Sequence, residues 1–91
     1  MGCNQVYSIE IENRCLKELK KIDKTAAQRA LSLIEEVIAK DPYAGKKLKG
    51  KYSGLYSFRF SDYRIIYEII QHKLVIIILR IRHRKNVYDG L

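Results

Sequence analysis

From Val6 to Glu12 the chain alternates, with Tyr7, Ile9 and Ile11 on one side and Val6, Ser8 and Glu10 on the other. That period of two predicts a short strand near 4–11. The period then changes. Cys15, Leu16, Leu19 and Ile22 recur at helical spacing, which predicts an amphipathic helix over 12–22. Thr25-Ala26-Ala27-Gln28 has the form of a capping box, in which the threonine hydroxyl accepts from the Gln28 amide. A second helix follows over 25–40, its stripe made of Ala27, Ala30, Leu31, Ile34, Val37 and Ile38. Asp41-Pro42 ends it, because the residue before a proline is pushed out of helical space.

The second half returns to alternation. Tyr56, Phe58 and Phe60 interleave with Ser57 and Arg59, and Tyr63, Ile65, Tyr67 and Ile69 follow a turn at Ser61-Asp62. Gln71-His72-Lys73 reads as another turn before the apolar run Leu74 to Leu79 and the basic end of a last strand. Strands are expected near 54–60, 63–70 and 74–82. The order is strand, helix, helix and a three-strand antiparallel meander, an α+β two-layer domain spanning 1–91 with the helical hairpin on one sheet face.

Pairing sharpens the picture. A two-residue turn at Ser61-Asp62 sets Phe60 opposite Tyr63, Arg59 opposite Arg64 and Phe58 opposite Ile65. A three-residue second loop sets Ile70 opposite Leu74 and Tyr67 opposite Ile77. One face then carries Phe58, Ile65, Tyr67, Val75, Ile77 and Ile81 and must lie under the helices. The other carries Arg59, Arg64, Ile66, Ile76, Ile78, Arg80 and Arg82. A two-residue second loop flips the last strand instead, since one residue of slip moves every side chain to the opposite face.

Composition changes this picture little. The chain has 91 residues, of which 47% are hydrophobic and 31% charged, values ordinary for a folded domain. Its apolar runs are far shorter than the ~20 residues of a membrane span. No charged stretch followed by an apolar core opens the sequence, so the cytoplasm is the expected location. Cys3 and Cys15 form no C-x-x-C pair and no metal-ligand cluster, which predicts ordinary thiols, no metal and no cofactor.

Charge does change the picture. Basic and acidic side chains balance over residues 1–41, so the net +8 belongs entirely to residues 42–91. A field that lopsided attracts polyanions. Arg59 and Arg64 face each other across two strands, where like charges are destabilising unless something bridges them. Arg80, Arg82 and Arg84 share their parity, and a guanidinium fork matches phosphate oxygens. Lys46, Lys47, Lys49 and Lys51 form a basic loop, too short and too poor in Ser/Thr for a phosphate-cradling P-loop. Lys85 continues the basic tail. His72 sits in a turn, and His83 has the parity of the helix side. No Ser-His-Asp or paired-carboxylate constellation is present. Ile66, Ile76 and Arg80 together would make a patch that combines apolar burial with charge pairing, a surface for an acidic protein partner.

GKKLKG at 45–50 behind Asp41-Pro42, GLYSFRFSDYRIIYEI at 54–69 and RHRKNVY at 82–88, with KELKKIDK at 17–24, together resemble the RelE/ParE superfamily of toxins, and the RelE branch most. The resemblance covers essentially the whole chain. It implies a toxin of a type II toxin–antitoxin system, a metal-independent endoribonuclease that cleaves mRNA in the ribosomal A site. There a 2′-hydroxyl attacks the adjacent phosphate and leaves a cyclic phosphate. Carried over by position, Arg59 matches a basic residue implicated in activating the nucleophile. Arg64 matches the residue that stabilises the transition-state phosphate, and Arg84 a further phosphate or leaving-group arginine. Tyr88 matches the tyrosine that stacks on the substrate base. Lys46, Lys47, Lys49, Lys51, Arg82 and Lys85 are then expected to bind RNA or ribosome. An acidic, RelB-like antitoxin is expected across Ile66, Ile76 and Arg80. Ser57 stands where some members carry a second lysine, which weakens a lysine base. Arginine is itself a poor base, being protonated at any physiological pH. The ParE branch implies an alternative, inhibition of DNA gyrase without nuclease activity; an attenuated RNA-binding relative is a third reading.

Overall fold

The computed structural model describes residues 6–83 and Lys85. Its elements are β1 (Ser8–Ile11), α1 (Asn13–Lys21), α2 (Lys24–Leu33), β2 (Lys46–Lys47), β3 (Leu55–Phe60), β4 (Tyr63–Ile70) and β5 (Val75–His83). The strands form one sheet in the order β1-β5-β4-β3-β2. The three-strand meander is antiparallel as expected, and β1 adds to it parallel to β5, with Ile9 opposite Ile76 and Ile11 opposite Ile78. The arrangement is α+β in two layers.

The core lies between the helices and one sheet face. Cys15, Ala30, Ile34 and Ile38 from the helices meet Ile65, Tyr67, Ile76, Ile78 and Ile81 from the sheet, all essentially inaccessible to solvent. Leu16 and Leu31, expected in the apolar stripes, are instead 42% and 38% exposed. Helix α2 begins one residue before Thr25. Asp23 is its N-cap, accepting from the Ala26 amide at 3.2 Å, so the Thr25–Gln28 capping box does not form. The helix becomes a π-helical turn over Ile34–Ile38, in which Ala39 N–H donates to the Ile34 carbonyl five residues back. That wider turn brings Ala39 to the start of the sheet, where its carbonyl accepts from Tyr7.

The first hairpin has the expected register, with Phe60 opposite Tyr63 and Arg59 opposite Arg64. The last strand does not. The loop after β4 is four residues long, closing on Leu74 in the left-handed conformation (φ 55°), so Ile70 pairs with Val75 rather than Leu74. This one-residue shift puts Ile76 and Ile78 under the helices, where Val75 and Ile77 were expected. A second shift follows at Leu79, which has no partner between the Tyr67–Ile78 and Ile66–Arg80 pairs. Such a bulge sets two residues of one strand against one of its neighbour. Beyond it Ile81 is back in the core, and Arg80 and Arg82 lie on the face away from the helices.

Candidate functional site: a cationic cleft on the open face of the sheet

The cleft is built where β2, β3 and β4 lie side by side. The expected basic loop is partly a strand: Lys46 pairs with Ser57 and Lys47 with Tyr56. Alternation then separates the two lysines. Lys46 shares the open face with Ser57, Arg59 and Arg64, while Lys47 shares the helix-side face with Tyr56. Lys46, Ser57, Arg59 and Arg64 line a cleft of about 440 Å³ with Ala44, Gly45, Leu48 and Phe58. Lys46 and Arg59 are exposed, Arg64 is half-buried and Ser57 is buried. Three cations thus surround one concave opening, and among the described residues no carboxylate lines it.

Tight packing holds the cleft wall. Tyr67, fully buried, donates its hydroxyl to the Pro42 carbonyl at 2.6 Å. Burial pushes its phenol up to about 12, against a partly offsetting backbone hydrogen bond from Gly45. A Cβ on Gly45 would run into that hydroxyl and sit 3.0 Å from the Ser57 carbonyl, which explains glycine here. Tyr56 stacks on Tyr67 (ring centroids 5.8 Å) and meets Tyr43 edge-on at 5.7 Å, extending the wall toward Pro42.

Across β4 the cationic row continues. Arg64 is opposite Arg59 on β3 and opposite Arg82 on β5, so three strands present an arginine at one level. Arg82, expected to bind RNA or ribosome, therefore sits beside Arg64, where the shorter loop would have set Arg80. Its side chain leans to the β5 edge, lining a pocket with Lys21, Asp23 and Tyr63, with Nε 3.5 Å from a Glu18 carboxylate oxygen of α1. Arg80 is tied to the same carboxylate by Nε at 2.8 Å and Nη2 at 2.7 Å.

The expected antitoxin patch of Ile66, Ile76 and Arg80 does not exist as a surface. Ile76 is wholly buried under the helices because of the longer loop, Ile66 is wholly buried, and Arg80 is 6% exposed and engaged with Glu18. Lys49 and Lys51 are exposed, and the Lys51 ammonium lies 5.3 Å from the Tyr52 ring centre. Lys85 is exposed, and its amide donates to His83 Nδ1 at 3.3 Å. His83 pairs with Tyr63, away from the cleft, as its parity predicted. Arg84 and Tyr88 lie outside the described residues, as does Cys3. Cys15 is a buried free thiol, raised by burial to about 12. Among the described residues no group of three His, Cys, Asp or Glu is placed to hold a metal, and no helix is long and apolar enough to cross a membrane.

Comparison with known proteins adds four findings. The family model of the ParE toxin of type II toxin–antitoxin systems matches residues 9–88. The chain is 29% identical to the mRNA interferase toxin RelE of Escherichia coli (strain K12) over 87 residues, covering 91% of this chain and 90% of that one. Among solved structures it is similar to the RelB–RelE antitoxin–toxin complex of Methanococcus jannaschii (29% identity, TM-score 0.70, 90% of this chain and 98% of that one). The fold alone is shared with the toxin–antitoxin complex RelBE2 of Mycobacterium tuberculosis (24% identity, TM-score 0.82, 87% and 92% covered).

Proposed function

The chain belongs to the ParE toxin family of type II toxin–antitoxin systems, and from that premise we propose that it is an endoribonuclease that cuts mRNA on the ribosome. The observation that carries this reading is the cleft where Arg59 and Arg64 face each other with Lys46 at the rim. Clustered cations in a cleft attract a polyanion, and a guanidinium fork fits a phosphate. RNA supplies one at every nucleotide. The relative's name, mRNA interferase, supports the same substrate class.

In this reading a 2′-hydroxyl attacks the neighbouring phosphorus, the bond to the 5′-oxygen breaks, and a 2′,3′-cyclic phosphate remains. Negative charge builds on the non-bridging oxygens as the phosphate becomes pentacovalent. Guanidinium groups fixed on two rigid strands meet that charge without reorganising, which is where preorganised donors contribute most. Arg64, held half-buried on the central strand, is placed for the transition-state oxygens. Arg59 and Lys46 complete the cradle. Arg84 and Tyr88 are assigned by resemblance to the leaving group and to stacking on the base. Among the described residues the cleft offers no carboxylate or histidine as a base, and in this reading the chemistry rests on electrostatic stabilisation and on the positioning that a ribosome-bound mRNA provides. An acidic, RelB-like antitoxin is the expected partner, drawn to the same cations.

Single-turnover cleavage on programmed ribosomes tests this. Arg64→Ala should lower the rate about 10²–10³-fold, the range for losing one preorganised donor. Wild-type rates in that variant would sink the assignment. The resemblance to the ParE branch keeps gyrase inhibition as the second reading; a chain that cuts no mRNA but blocks DNA supercoiling would establish it instead.

A further inference from the structure

We propose that Glu18 of α1 is a positioning residue for the cationic row, fixing Arg82 in place while neutralising Arg80; this rests on the row being a phosphate site. The position of Glu18 follows from the topology. Strand β1 ends at Ile11, opposite Ile78, and Glu12 closes the ladder by donating to the Ile78 carbonyl at 3.1 Å. Among the described residues, the outer edge of β5 beyond that point has no strand beside it, and α1 packs there instead. Glu18 substitutes for the missing strand: its Oε1 accepts from the Ile81 amide at 3.2 Å. Its Oε2 takes both arginines that flank Ile81.

The two arginines are treated differently. Arg80 is closely bound and its side chain is only 7% exposed, so its charge is spent inside the protein. Arg82 is held more loosely, at 3.5 Å, and its side chain is 31% exposed. A carboxylate on the Nε edge of a planar guanidinium leaves the end-on pair of terminal N–H groups to fork an anion. Strands lie about 4.8 Å apart, so the row from Arg59 to Arg82 spans roughly 10 Å across the sheet. That is wider than one phosphate. An RNA strand crossing the sheet with one phosphate in the cleft meets Arg82 with the next. An arginine otherwise loses rotamer freedom on being ordered; Glu18 orders it before RNA arrives.

The test is a double-mutant cycle with a second, activity-independent readout. In single-turnover cleavage at saturating ribosomes, Glu18→Gln should lower the rate roughly 10–100-fold through misplacement of a binding group. In an Arg82→Ala background the same change should cost no more than about twofold, because coupled residues are non-additive. Equal losses in both backgrounds would mean a merely structural role and overturn the proposal. The second readout is the side-chain Nε–H resonance of Arg82 in ¹⁵N-labelled protein, with and without inorganic phosphate. Glu18→Gln should drop its order parameter below about 0.6, the flexible range; an unchanged resonance also overturns the proposal. If Glu18→Gln fails to fold, Arg80→Met is added to remove the stranded charge, and Arg82 is read in that pair. A wild-type chain that cuts nothing on ribosomes overturns the nuclease reading alone, and the resonance then decides on Glu18.

Discussion

Replacing Arg59 by Met separates anion binding from folding. Arg59 is exposed on β3 and directly opposite Arg64. Two unit charges about 6 Å apart in water repel by about 0.7 kcal/mol. Met keeps much of the apolar stem and removes the charge, so Arg59→Met should fold with unchanged or slightly greater stability, by up to about 0.7 kcal/mol. The gain should shrink with added salt, since the screening length falls from about 10 Å at 0.1 M to about 3 Å at 1 M. Ligand response should move the other way. Phosphate at ten times its dissociation constant stabilises a folded protein by about 1.4 kcal/mol. For a domain of this size that raises the melting temperature by roughly 6–11 °C. Wild-type protein should show that shift, and Arg59→Met should show less than about 2 °C. Thermal melts at matched ionic strength, with chloride replacing phosphate, make the measurement. A variant that melts well below wild type, yet gains as much from phosphate, would refute the idea that the opposed arginines are an anion site.

Three further outcomes are expected. Lys46→Ala should slow single-turnover cleavage as well as weaken RNA association, because Lys46 lines the cleft; Lys47→Ala, on the opposite face, should change only association and flatten its salt dependence. Gly45→Ala should destabilise by roughly 1–3 kcal/mol, as overpacking does, and Tyr67→Phe in the same chain should recover part of the loss by removing the hydroxyl that the new methyl meets. Stability to urea should fall as pH rises from about 9 toward 12. Cys15 and Tyr67 are both raised to about 12 in the fold, so the unfolded chain loses its protons first, and each group contributes a slope of up to about 1.4 kcal/mol per pH unit. A flat urea midpoint over that range would contradict the burial of both groups.

What the sequence discloses depends on whether local chemistry marks the backbone. The Phe60–Tyr63 register is legible because a two-residue turn leaves one geometry, and aromatic and arginine residues alternate cleanly around it. The loop after β4 is not. Its left-handed residue is Leu74, where a glycine or asparagine would have signalled the conformation. The bulge is hidden for a different reason. In Val75-Ile76-Ile77-Ile78-Leu79 every side chain is apolar, so nothing distinguishes the residue facing inward from the one left unpaired. Strand β2 is two lysines, poor strand formers, and is ordered by its neighbour β3 rather than by its own propensity. Asp23 and Thr25 are both good N-caps, and the chain reversal after Ile22 selects the first. Glu18 resembles any solvated helix acid; only the early end of β1 makes it special.

Two errors of register cancel in this protein, and the cancellation explains why the arginine face was readable at all. The longer loop shifts β5 by one residue, which alone would set Arg80 opposite Ile65 and Arg82 opposite Tyr63, burying two guanidinium groups beneath the helices. Such burial without partners costs several kcal/mol per charge. The bulge at Leu79 shifts the strand once more and restores parity from Arg80 onward. Apolar residues before the bulge tolerate either face, whereas the arginines after it tolerate only one. The charges therefore select the register of the strand's end, the loop selects that of its start, and Leu79 is where the two are reconciled. The same displacement breaks the regular edge of β5 beyond Ile78, the edge that Glu18 closes. The device that returns the arginines to the open face thus also creates the place from which one carboxylate can hold them.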